Sequence, residues 1–199
     1  MIEPALYNTD CLKYMKTCPD KSFDLCLTDP PYGINSKMKG GTWGINSIYK
    51  EMLEWDYVVG QEYFDEIMRV SKNQIIWGGN LYPLPPSRCW LAWIKTEAMD
   101  TLADFELAWT SFDKLSKKFK ERRNPDGKRV HPTQKPLDLF RWCLEKFSQP
   151  NDIIFAPFLG SGTTAIVCKE LNRKCVGVEI NPNYFKLAED RLKQGVLNF

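Results

Sequence analysis

Residues 29–32, Asp-Pro-Pro-Tyr, combine the groups that would hold a planar amine. Each proline fixes its backbone φ angle and lacks an N–H, so the carbonyls of this stretch cannot join a sheet ladder. The Asp29 carboxylate and the first of these carbonyls are therefore two acceptors held side by side. An exocyclic amine of a nucleobase has two hydrogens for such a pair, and the Tyr32 ring can stack on the base. An ordinary turn would have a similar composition.

A strand is the element that must position this tetrapeptide. Residues 23–28 form an apolar run that ends directly before Asp29, and short apolar runs are typical of buried strands. Open α/β sheets bind their ligands at the carboxyl ends of their strands. We therefore expect Asp29 at the carboxyl edge of a buried sheet.

A glycine-rich segment late in the sequence is typical of a nucleoside-binding turn. A predicted strand at residues 151–159 is followed by Gly-Ser-Gly-Thr-Thr at residues 160–164 and by an amphipathic helix. The glycines permit a tight turn and a close ligand approach, and Thr163 or Thr164 can cap the helix. The next predicted strand has Glu179 near its carboxyl end, where a carboxylate can hold both hydroxyls of a ribose.

Two common nucleotide motifs are excluded at this turn. No Gly-Lys-Ser/Thr follows it, and the third glycine of a dinucleotide motif is missing. What remains is a nucleoside site without a phosphate requirement, and S-adenosylmethionine is the common ligand of that kind. No metal is expected, because the chain has one histidine and no ligand spacing.

Together these segments resemble the DNA amino-methyltransferases, which methylate adenine at N6 or cytosine at N4. The family's catalytic motif is matched by residues 29–32 and its cofactor motif by residues 157–164. Shorter matches follow the family's order at residues 10–12, 77–80, 93–95 and 131–136. The catalytic motif precedes the cofactor motif, which is the order of the permuted β group.

The resemblance covers nearly the whole chain and implies a Rossmann-like S-adenosylmethionine-dependent methyltransferase fold. This is a doubly wound α/β fold with a mostly parallel sheet and a circularly permuted motif order. A length of 199 residues, 43% of them hydrophobic, suits one domain. We expect a catalytic half at residues 1–112, a basic connecting segment at residues 113–130 and a cofactor-binding half at residues 131–199.

The resemblance also implies roles for individual residues. Asp10 would accept from the cofactor's adenine amino group, Glu179 would hold the ribose, and Thr133 and Lys135 would receive the methionine carboxylate. The expected catalytic residues are Asp29, Pro30, Pro31 and Tyr32. The expected cofactor contacts are Asp10, Cys11, Asp29, Thr133, Lys135, Phe158, Gly160, Ser161, Gly162, Thr163, Thr164, Glu179, Ile180 and Asn181.

One departure from the family pattern is Ala156, where the family has an aspartate beside the methionine part of the cofactor. Alanine removes an acceptor for the ammonium group, so a reduced cofactor affinity is expected. Asn181 is expected to cap the next helix, on which Arg191 is interpreted as core packing. Trp43 and Trp77 are the two candidate pocket walls among the seven tryptophans.

Basic residues are concentrated in one segment. Residues 114–129 hold eight basic side chains against Glu121 and Asp126, a net charge of +6, so the other residues sum to −4 in a chain of net charge +2. Such a stretch can contact phosphates, although a solvated loop would have the same composition. Residues 36–54 are interpreted as a loop that closes over an extruded base. The expected DNA contacts are Lys37, Lys39, Trp43, Lys114, Lys117, Lys118, Lys120, Arg122, Arg123, Lys128 and Arg129.

A separate target-recognition region is missing from the pattern. Relatives have several dozen residues between the segment at 105–109 and the His131 motif, whereas this chain has about twenty there, too few for an independent domain. Base recognition is then either meagre or completed by a second subunit, in a homodimer or with a recognition subunit.

The seven cysteines are an odd number without a Cys-x-x-Cys pair, which indicates reduced thiols in a cytoplasmic protein. The resemblance implies that it is bacterial or phage-encoded. No apolar stretch is long enough to span a membrane, and no leader sequence is recognisable. Since no Pro-Cys pair occurs, covalent methylation of cytosine at ring carbon is excluded.

Several functions stay open at this point. Within the family, enzymes with aspartate at the first position of the catalytic motif mostly methylate adenine, and those with serine mostly methylate cytosine. Asp29 therefore favours adenine. RNA enzymes often have Trp or Phe where Tyr32 stands, and protein glutamine enzymes have Asn in place of Asp29. A cofactor-deficient DNA-binding or regulatory subunit is the alternative of another class, supported by Ala156.

Overall fold

Eight strands and five helices are found in the part of the chain that the computed structural model describes, residues 3–33, 59–96, 103–122 and 135–194. The strands are β1 (Ala5–Asn8), β2 (Phe23–Thr28), β3 (Ser71–Trp77), β4 (Trp90–Lys95), β5 (Phe105–Thr110), β6 (Lys117–Glu121), β7 (Ile153–Ala156) and β8 (Lys174–Glu179). The helices are α1 (Cys11–Lys16), α2 (Gln61–Val70), α3 (Leu137–Phe147), α4 (Thr163–Glu170) and α5 (Pro182–Gln194), with a 3₁₀ turn at Gly79–Leu81.

The strands form one sheet in the order β1-β8-β7-β2-β3-β5-β4-β6. The pairs β1–β8, β8–β7, β7–β2, β2–β3 and β4–β6 are parallel, and the two pairs that involve β5 are antiparallel. The predicted mostly parallel α/β fold is confirmed.

Helices cover both faces of the sheet because its central strands bury alternate residues on opposite sides. On β3, Ile75 and Trp77 belong to the apolar cluster that includes residues of α3, α4 and α5. Ile76 belongs to the cluster built with residues of α1 and α2. The arrangement is a three-layer sandwich of the kind that doubly wound sheets form.

The strand order reverses between β2 and β7. From β2 the chain proceeds to β3 on one side, and from β7 to β8 on the other. Leu25 lies opposite Ile154 and Cys26 opposite Phe155 in parallel register. The two carboxyl ends, followed by residues 29–32 and residues 157–164, therefore meet at the point where such sheets bind ligands. The expected convergence of the two motifs is confirmed.

The antiparallel placement of β5 brings charged residues to the same edge. Since β4 runs parallel to β3, Lys95 at its end lies at the carboxyl edge of the sheet. β5 runs the other way, so Glu106, near its beginning, lies at that edge too. β6 pairs with β4 over Lys117–Glu121, and the basic segment expected to be a connection is therefore in part an edge strand.

Asp24 crosslinks three strands on the amino-terminal side of the pocket. Its Oδ2 accepts from the backbone N–H of Ile153 on β7 at 2.9 Å, and its Oδ1 pairs with Lys72 Nζ on β3 at 2.7 Å. Burial would raise the pKa of Asp24, but the Ile153 N–H and the Lys72 ammonium hold it below its ordinary value. The carboxylate therefore stabilises the pairing on which the reversal of strand order depends.

All seven cysteines are free thiols, and six of them are buried. Within the described segments, no helix combines the length and the apolar character that crossing a membrane requires. In the same segments, no three His, Cys, Asp or Glu side chains group as metal ligands would.

We expect Asp24→Ala to lower the free energy of unfolding by about 1.5–3 kcal/mol, the range for hydrogen bonds to charged groups. Because the folded-state pKa of Asp24 is depressed, this contribution is present above the unfolded-state pKa and is lost as pH falls through the folded-state pKa. Urea unfolding at neutral and acidic pH measures it. Asp190, which pairs with Lys193 across 3.9 Å on the surface of α5, is the control, and Asp190→Ala should cost less than about 1 kcal/mol. Equal losses in the two variants would contradict the crosslink.

Candidate active site

Asp29 follows the last residue of β2 and is held by neighbours on two sides. The Tyr32 hydroxyl donates to Asp29 Oδ1, and Lys135 Nζ donates to Asp29 Oδ2 at 2.6 Å. Burial and the charge of Asp29 raise the pKa of Tyr32, so its hydroxyl stays protonated as the donor. The predicted pocket residue is therefore a fixed acceptor with 17% of its side chain exposed.

Tyr82 holds the two prolines of the tetrapeptide. Its hydroxyl lies 3.2 Å from the Pro30 carbonyl oxygen and 3.0 Å from the Pro31 carbonyl oxygen, and its proton is shared between them. Both carbonyls stay outside the sheet, as the prolines require. Each oxygen has a second lone pair, so the Pro30 carbonyl can still accept from an amine.

The Tyr32 ring has its place because residue 78 is a glycine. Gly78 has a positive φ of 69°, and a Cβ there would overlap the ring, with Tyr32 Cζ at 2.8 Å. The preceding Trp77 is fully buried in the apolar core. The interpretation of Trp77 as a pocket wall was wrong, because side chains alternate along β3 and this one points into the helix layer.

Two lysines and two carboxylates alternate beside the pocket. Glu106 Oε2 lies 3.1 Å from Lys135 Nζ, and Glu106 Oε1 lies 2.5 Å from Lys95 Nζ. Burial raises the pKa of Asp29, and the Lys135 ammonium offsets part of that rise. Burial acts in the opposite sense on Lys135, but its two carboxylate partners hold its pKa above the ordinary value.

Glu106 completes this arrangement. Burial would raise its pKa, but Lys135 and Lys95 hold it below the ordinary value, so it stays ionised. Neither Glu106 nor Lys95 was among the predicted site residues. The signal in the sequence was a charged side chain in each of two short apolar strands.

The glycine loop after β7 has the backbone geometry that its composition predicts. Gly160 and Gly162 both have positive φ, 55° and 85°. A Cβ on Gly160 would meet open space, whereas one on Gly162 would lie 2.8 Å from the Ala188 Cβ of α5. The first glycine therefore leaves room for a ligand, and the second lets α5 pack against the loop.

Thr163 and Thr164 do not cap α4, contrary to the prediction. The capping position is Gly162, no side chain bonds to the free N–H groups there, and both threonines are buried in the first turn. Because Gly162 has a left-handed backbone conformation and is itself the capping residue, the helix begins at Thr163 and neither threonine can occupy the capping position.

Arg191 of α5 anchors the same loop. Its Nη1 donates to the Ser161 carbonyl oxygen at 2.5 Å and to Ser161 Oγ at 2.9 Å. Burial lowers the pKa of Arg191. The interpretation of Arg191 as plain core packing was wrong, because its polar head fixes the loop while its stem packs.

Glu179 ends β8 with both carboxylate oxygens facing backbone donors. Oε2 accepts from the Gly160 N–H at 2.8 Å and Oε1 from the Asn181 N–H at 2.9 Å. Burial raises the pKa of Glu179, and these hydrogen bonds oppose the rise. Asn181 caps α5 as predicted, with Oδ1 accepting from the Asn183 N–H at 2.8 Å. Ile180 between them is half exposed.

Asp10 and Cys11 lie at the same edge, because β1 pairs with β8 so that Asn8 is opposite Glu179. Asp10 Oδ1 caps α1 by accepting from the Lys13 N–H at 2.9 Å, and its Oδ2 accepts from the Tyr63 hydroxyl at 3.3 Å. The Tyr63 ring lies 6.0 Å from that of Phe158, centroid to centroid. Tyr63 was not predicted, and it joins the Asp10 end of the site to the glycine loop.

Three of the predicted DNA contacts that the structure describes lie on the edge strand of the sheet. Lys117, Lys118 and Lys120 are exposed on β6, four strand positions from β2, or roughly 19 Å at about 4.8 Å per strand. Lys114 lies over the rings of Phe112 and Phe147. The remaining described residue of that prediction is Arg122, which directly follows β6. Outside the described residues lie Lys37, Lys39, Trp43, Arg123, Lys128, Arg129, His131 and Thr133.

Comparisons with known proteins agree with this geometry. The chain is 26% identical over 244 aligned residues to Type II methyltransferase M.HpaI of Haemophilus parainfluenzae, covering 96% of this chain and 74% of that protein. Its fold is similar to TTHA0409 of Thermus thermophilus, a putative DNA modification methylase complexed with S-adenosyl-L-methionine, with a TM-score of 0.63 at 18% identity over 98% of this chain and 97% of that one. The fold is also similar to PvuII DNA methyltransferase (cytosine-N4-specific), with a TM-score of 0.67 at 15% identity. This similarity covers 97% of this chain and 91% of that one.

A sequence model of the family described as DNA methylase, N6_N4_Mtase, matches residues 71–190, which include β3 to β8 and the glycine loop. The matched part is more than half of the chain. The protein therefore belongs to the N6/N4 DNA methylase family.

Proposed function

We propose that the protein transfers a methyl group from S-adenosylmethionine to an exocyclic amine of a DNA base, with adenine N6 as the favoured target. The observation that carries this proposal is the position of Asp29. Its carboxylate lies at the carboxyl end of β2, directly beside the strand whose end begins the glycine loop. A base amine at Asp29 and a nucleoside at the loop would share one crevice.

The residues around the glycine loop fit the adenosine part of the cofactor. Each Glu179 oxygen has a lone pair left after its backbone hydrogen bond, which suits the two ribose hydroxyls. Gly160 faces open space, and Phe158 and Tyr63 offer ring surfaces near Asp10. When bound, S-adenosylmethionine supplies an electrophilic methyl group on a sulfonium.

The chain's own contribution to the reaction is orientation and proton acceptance. Asp29 and the Pro30 carbonyl accept the two amine hydrogens, which fixes the nitrogen in line with the methyl group. As the nitrogen takes the methyl group it gives up a proton, and the Asp29 carboxylate is its acceptor in the pocket. Tyr32 stacks on the base, with its hydroxyl bound to Asp29.

Adenine is favoured over cytosine by Asp29, on the resemblance to family members with aspartate at this position. Both bases have an amine that fits the two acceptors, and RNA offers the same amines. In a duplex, the base must leave the stack to reach a pocket at this depth.

Contacts to DNA are expected to be mainly to phosphates, which position a protein without reading sequence. The lysines of β6 are the described candidates. Base discrimination then comes mainly from the pocket, or from a second copy or a recognition subunit.

Incubation with methyl-labelled S-adenosylmethionine and mixed-sequence DNA, followed by nucleoside mass spectrometry, tests the proposal. Labelled N6-methyladenine is the expected product. N4-methylcytosine as the product would show that cytosine is the target base. Label found only in RNA, when RNA is offered in a parallel incubation, would overturn the DNA assignment.

A DNA-binding or regulatory subunit is a second candidate, and Ala156 is the observation that favours it. Ala156 is buried in the apolar cluster, so the position where the family has an aspartate is part of the core. Calorimetric titration with S-adenosylmethionine separates the two candidates. Absence of binding at millimolar concentration would favour the subunit.

We expect Asp29→Ala to reduce the single-turnover methylation rate at least about 100-fold, because a catalytic hydrogen-bonding group of this kind contributes about 3 kcal/mol. Asp29→Ala leaves Lys135 with Glu106 as its remaining partner and one positive charge in excess, so circular dichroism is used to establish that the variant is folded before its rate is compared. Asp138→Ala, in an exposed pair with Arg141 on α3, is the control and should keep the wild-type rate. Retention of more than about a tenth of the rate by Asp29→Ala would remove it from this role.

Glu179→Ala is expected to weaken S-adenosylmethionine binding by roughly 1.5–3 kcal/mol, because hydrogen bonds to a charged acceptor would be lost. Calorimetry measures the change, and Glu145→Ala on the exposed face of α3 is the matched control. Unchanged affinity in a folded Glu179→Ala protein would show that the ribose lies elsewhere.

Replacing both Lys118 and Lys120 by alanine should weaken DNA binding evenly across sequences and reduce the salt dependence by about one phosphate contact each. The two alternate with Phe119, whose ring packs against Trp142 at 5.5 Å, so both point away from α3. Fluorescence anisotropy over a salt series measures the slope, with Lys146→Ala on α3 as the control. An unchanged slope would show that β6 does not face DNA.

A further inference from the structure

The alternating charges beside the pocket form a continuous chain from Asp29 outward. Lys135 Nζ bridges Asp29 Oδ2 at 2.6 Å and Glu106 Oε2 at 3.1 Å, and Lys95 Nζ holds the other oxygen of Glu106 at 2.5 Å. The side chains of both lysines are 5% exposed. These four side chains come from four places in the sequence, and the proposed transfer reaction as described above uses only Asp29.

Such a chain is energetically demanding, because each buried charge depends on its neighbour. Removing one partner from a buried ion pair leaves an uncompensated charge and is strongly destabilising. Two carboxylates and two ammonium groups give this set a formal charge of zero. Lys135 is the member with carboxylates on both sides, so it links the charge of Asp29 to that of Glu106.

Asp29 can act as an acceptor only while it is ionised. A protonated carboxyl group presents an O–H donor and loses acceptor capacity. Burial favours that neutral form, Glu106 adds to this effect by its negative charge, and Lys135 opposes both. Among the described residues, the Tyr32 hydroxyl bound to Asp29 and Tyr82 next to Tyr32 are further titratable groups that face the site.

We propose that Lys135 is a positioning residue of the catalytic pocket, held by Glu106 and through it by Lys95, that keeps the Asp29 carboxylate charged and fixed in orientation. The ion pairs carry the geometry of this inference, and its effect on methylation rests on the proposed function. It gives Lys135 a different role from the one implied by the family resemblance, where it receives the methionine carboxylate. One lone pair on each Asp29 oxygen stays available for the amine.

The pH dependence of single-turnover methylation at saturating cofactor and DNA tests the proposal. The rate is expected to fall at acidic pH as Asp29 becomes protonated, and this fall is the acid limb of the profile. In Lys135→Met the acid limb should move to higher pH by about one unit or more, since an opposite charge within about 4–6 Å lowers a carboxyl pKa by about 1–3 units. Glu106→Gln removes a like charge from Asp29 and should move the limb to lower pH. Lys135→Arg should keep the wild-type limb, and Lys146→Met, on the exposed face of α3, is the surface control.

Cofactor affinity separates this role from a contact with the methionine carboxylate. Lys135→Met should keep the dissociation constant for S-adenosylmethionine within about threefold of wild type, whereas loss of a charged hydrogen bond to the cofactor would raise it about tenfold or more. An unmoved acid limb together with a tenfold weaker cofactor affinity would overturn the proposal.

A titration of the Asp29 carboxyl carbon by ¹³C NMR in the ligand-free protein makes the result independent of activity. A raised Asp29 pKa in Lys135→Met supports the proposal even if no DNA is methylated, in which case only the proposed function fails. Identical Asp29 titrations in wild type and Lys135→Met would overturn it. If Lys135→Met does not fold, Glu106→Gln is used instead, and the pKa of Asp29 is expected to be lower in that variant than in wild type. An Asp29 pKa that is unchanged or higher in Glu106→Gln counts against the proposal.

Discussion

The parallel pairing of β2 with β7 is the constraint on which the site depends. These strands are neighbours only because the strand order reverses between them, and their register brings Asp29 and the glycine loop to one edge. Neighbouring strands are about 4.8 Å apart, so groups at their ends can act on the two halves of one reaction. The Asp24 carboxylate, bound to β7 and β3 at once, holds this pairing at its other end.

Local signals predicted the backbone geometry of much of the candidate site. Residues 29–32, the glycines at 160 and 162, Glu179 and the Asn181 cap each follow a strand or begin a helix, and their backbone roles depend on near neighbours in sequence. The convergence of the two halves was also predictable, because parallel strands carry their pockets at one edge. The motif order indicated which strands come first along the chain, while the pairing register came from the structure.

Contacts between distant residues could not be predicted in this way. Lys135 and Asp29 are 106 positions apart, and Tyr82 lies 52 positions from Pro30. The second partner of Lys135, Glu106, depends on the antiparallel insertion of β5, which no sequence motif indicates. Similarly, the Arg191 guanidinium reaches Ser161 only because α5 packs across Gly162. A basic run that resembles a solvated loop became a strand because β4 offered an open edge.

The pairing of β1 with β8 has a consequence for how the chain folds during its synthesis. Asn8 donates from its side chain to the Glu179 carbonyl across 171 positions, and β1 has no other neighbour among the described strands of the sheet. Contacts of such separation close long loops and slow folding. On the ribosome, β1 must wait for β8, and one edge of β2 must wait for β7. The growing chain therefore acquires its crevice late, and until then its unpaired apolar strand edges are exposed to aggregation.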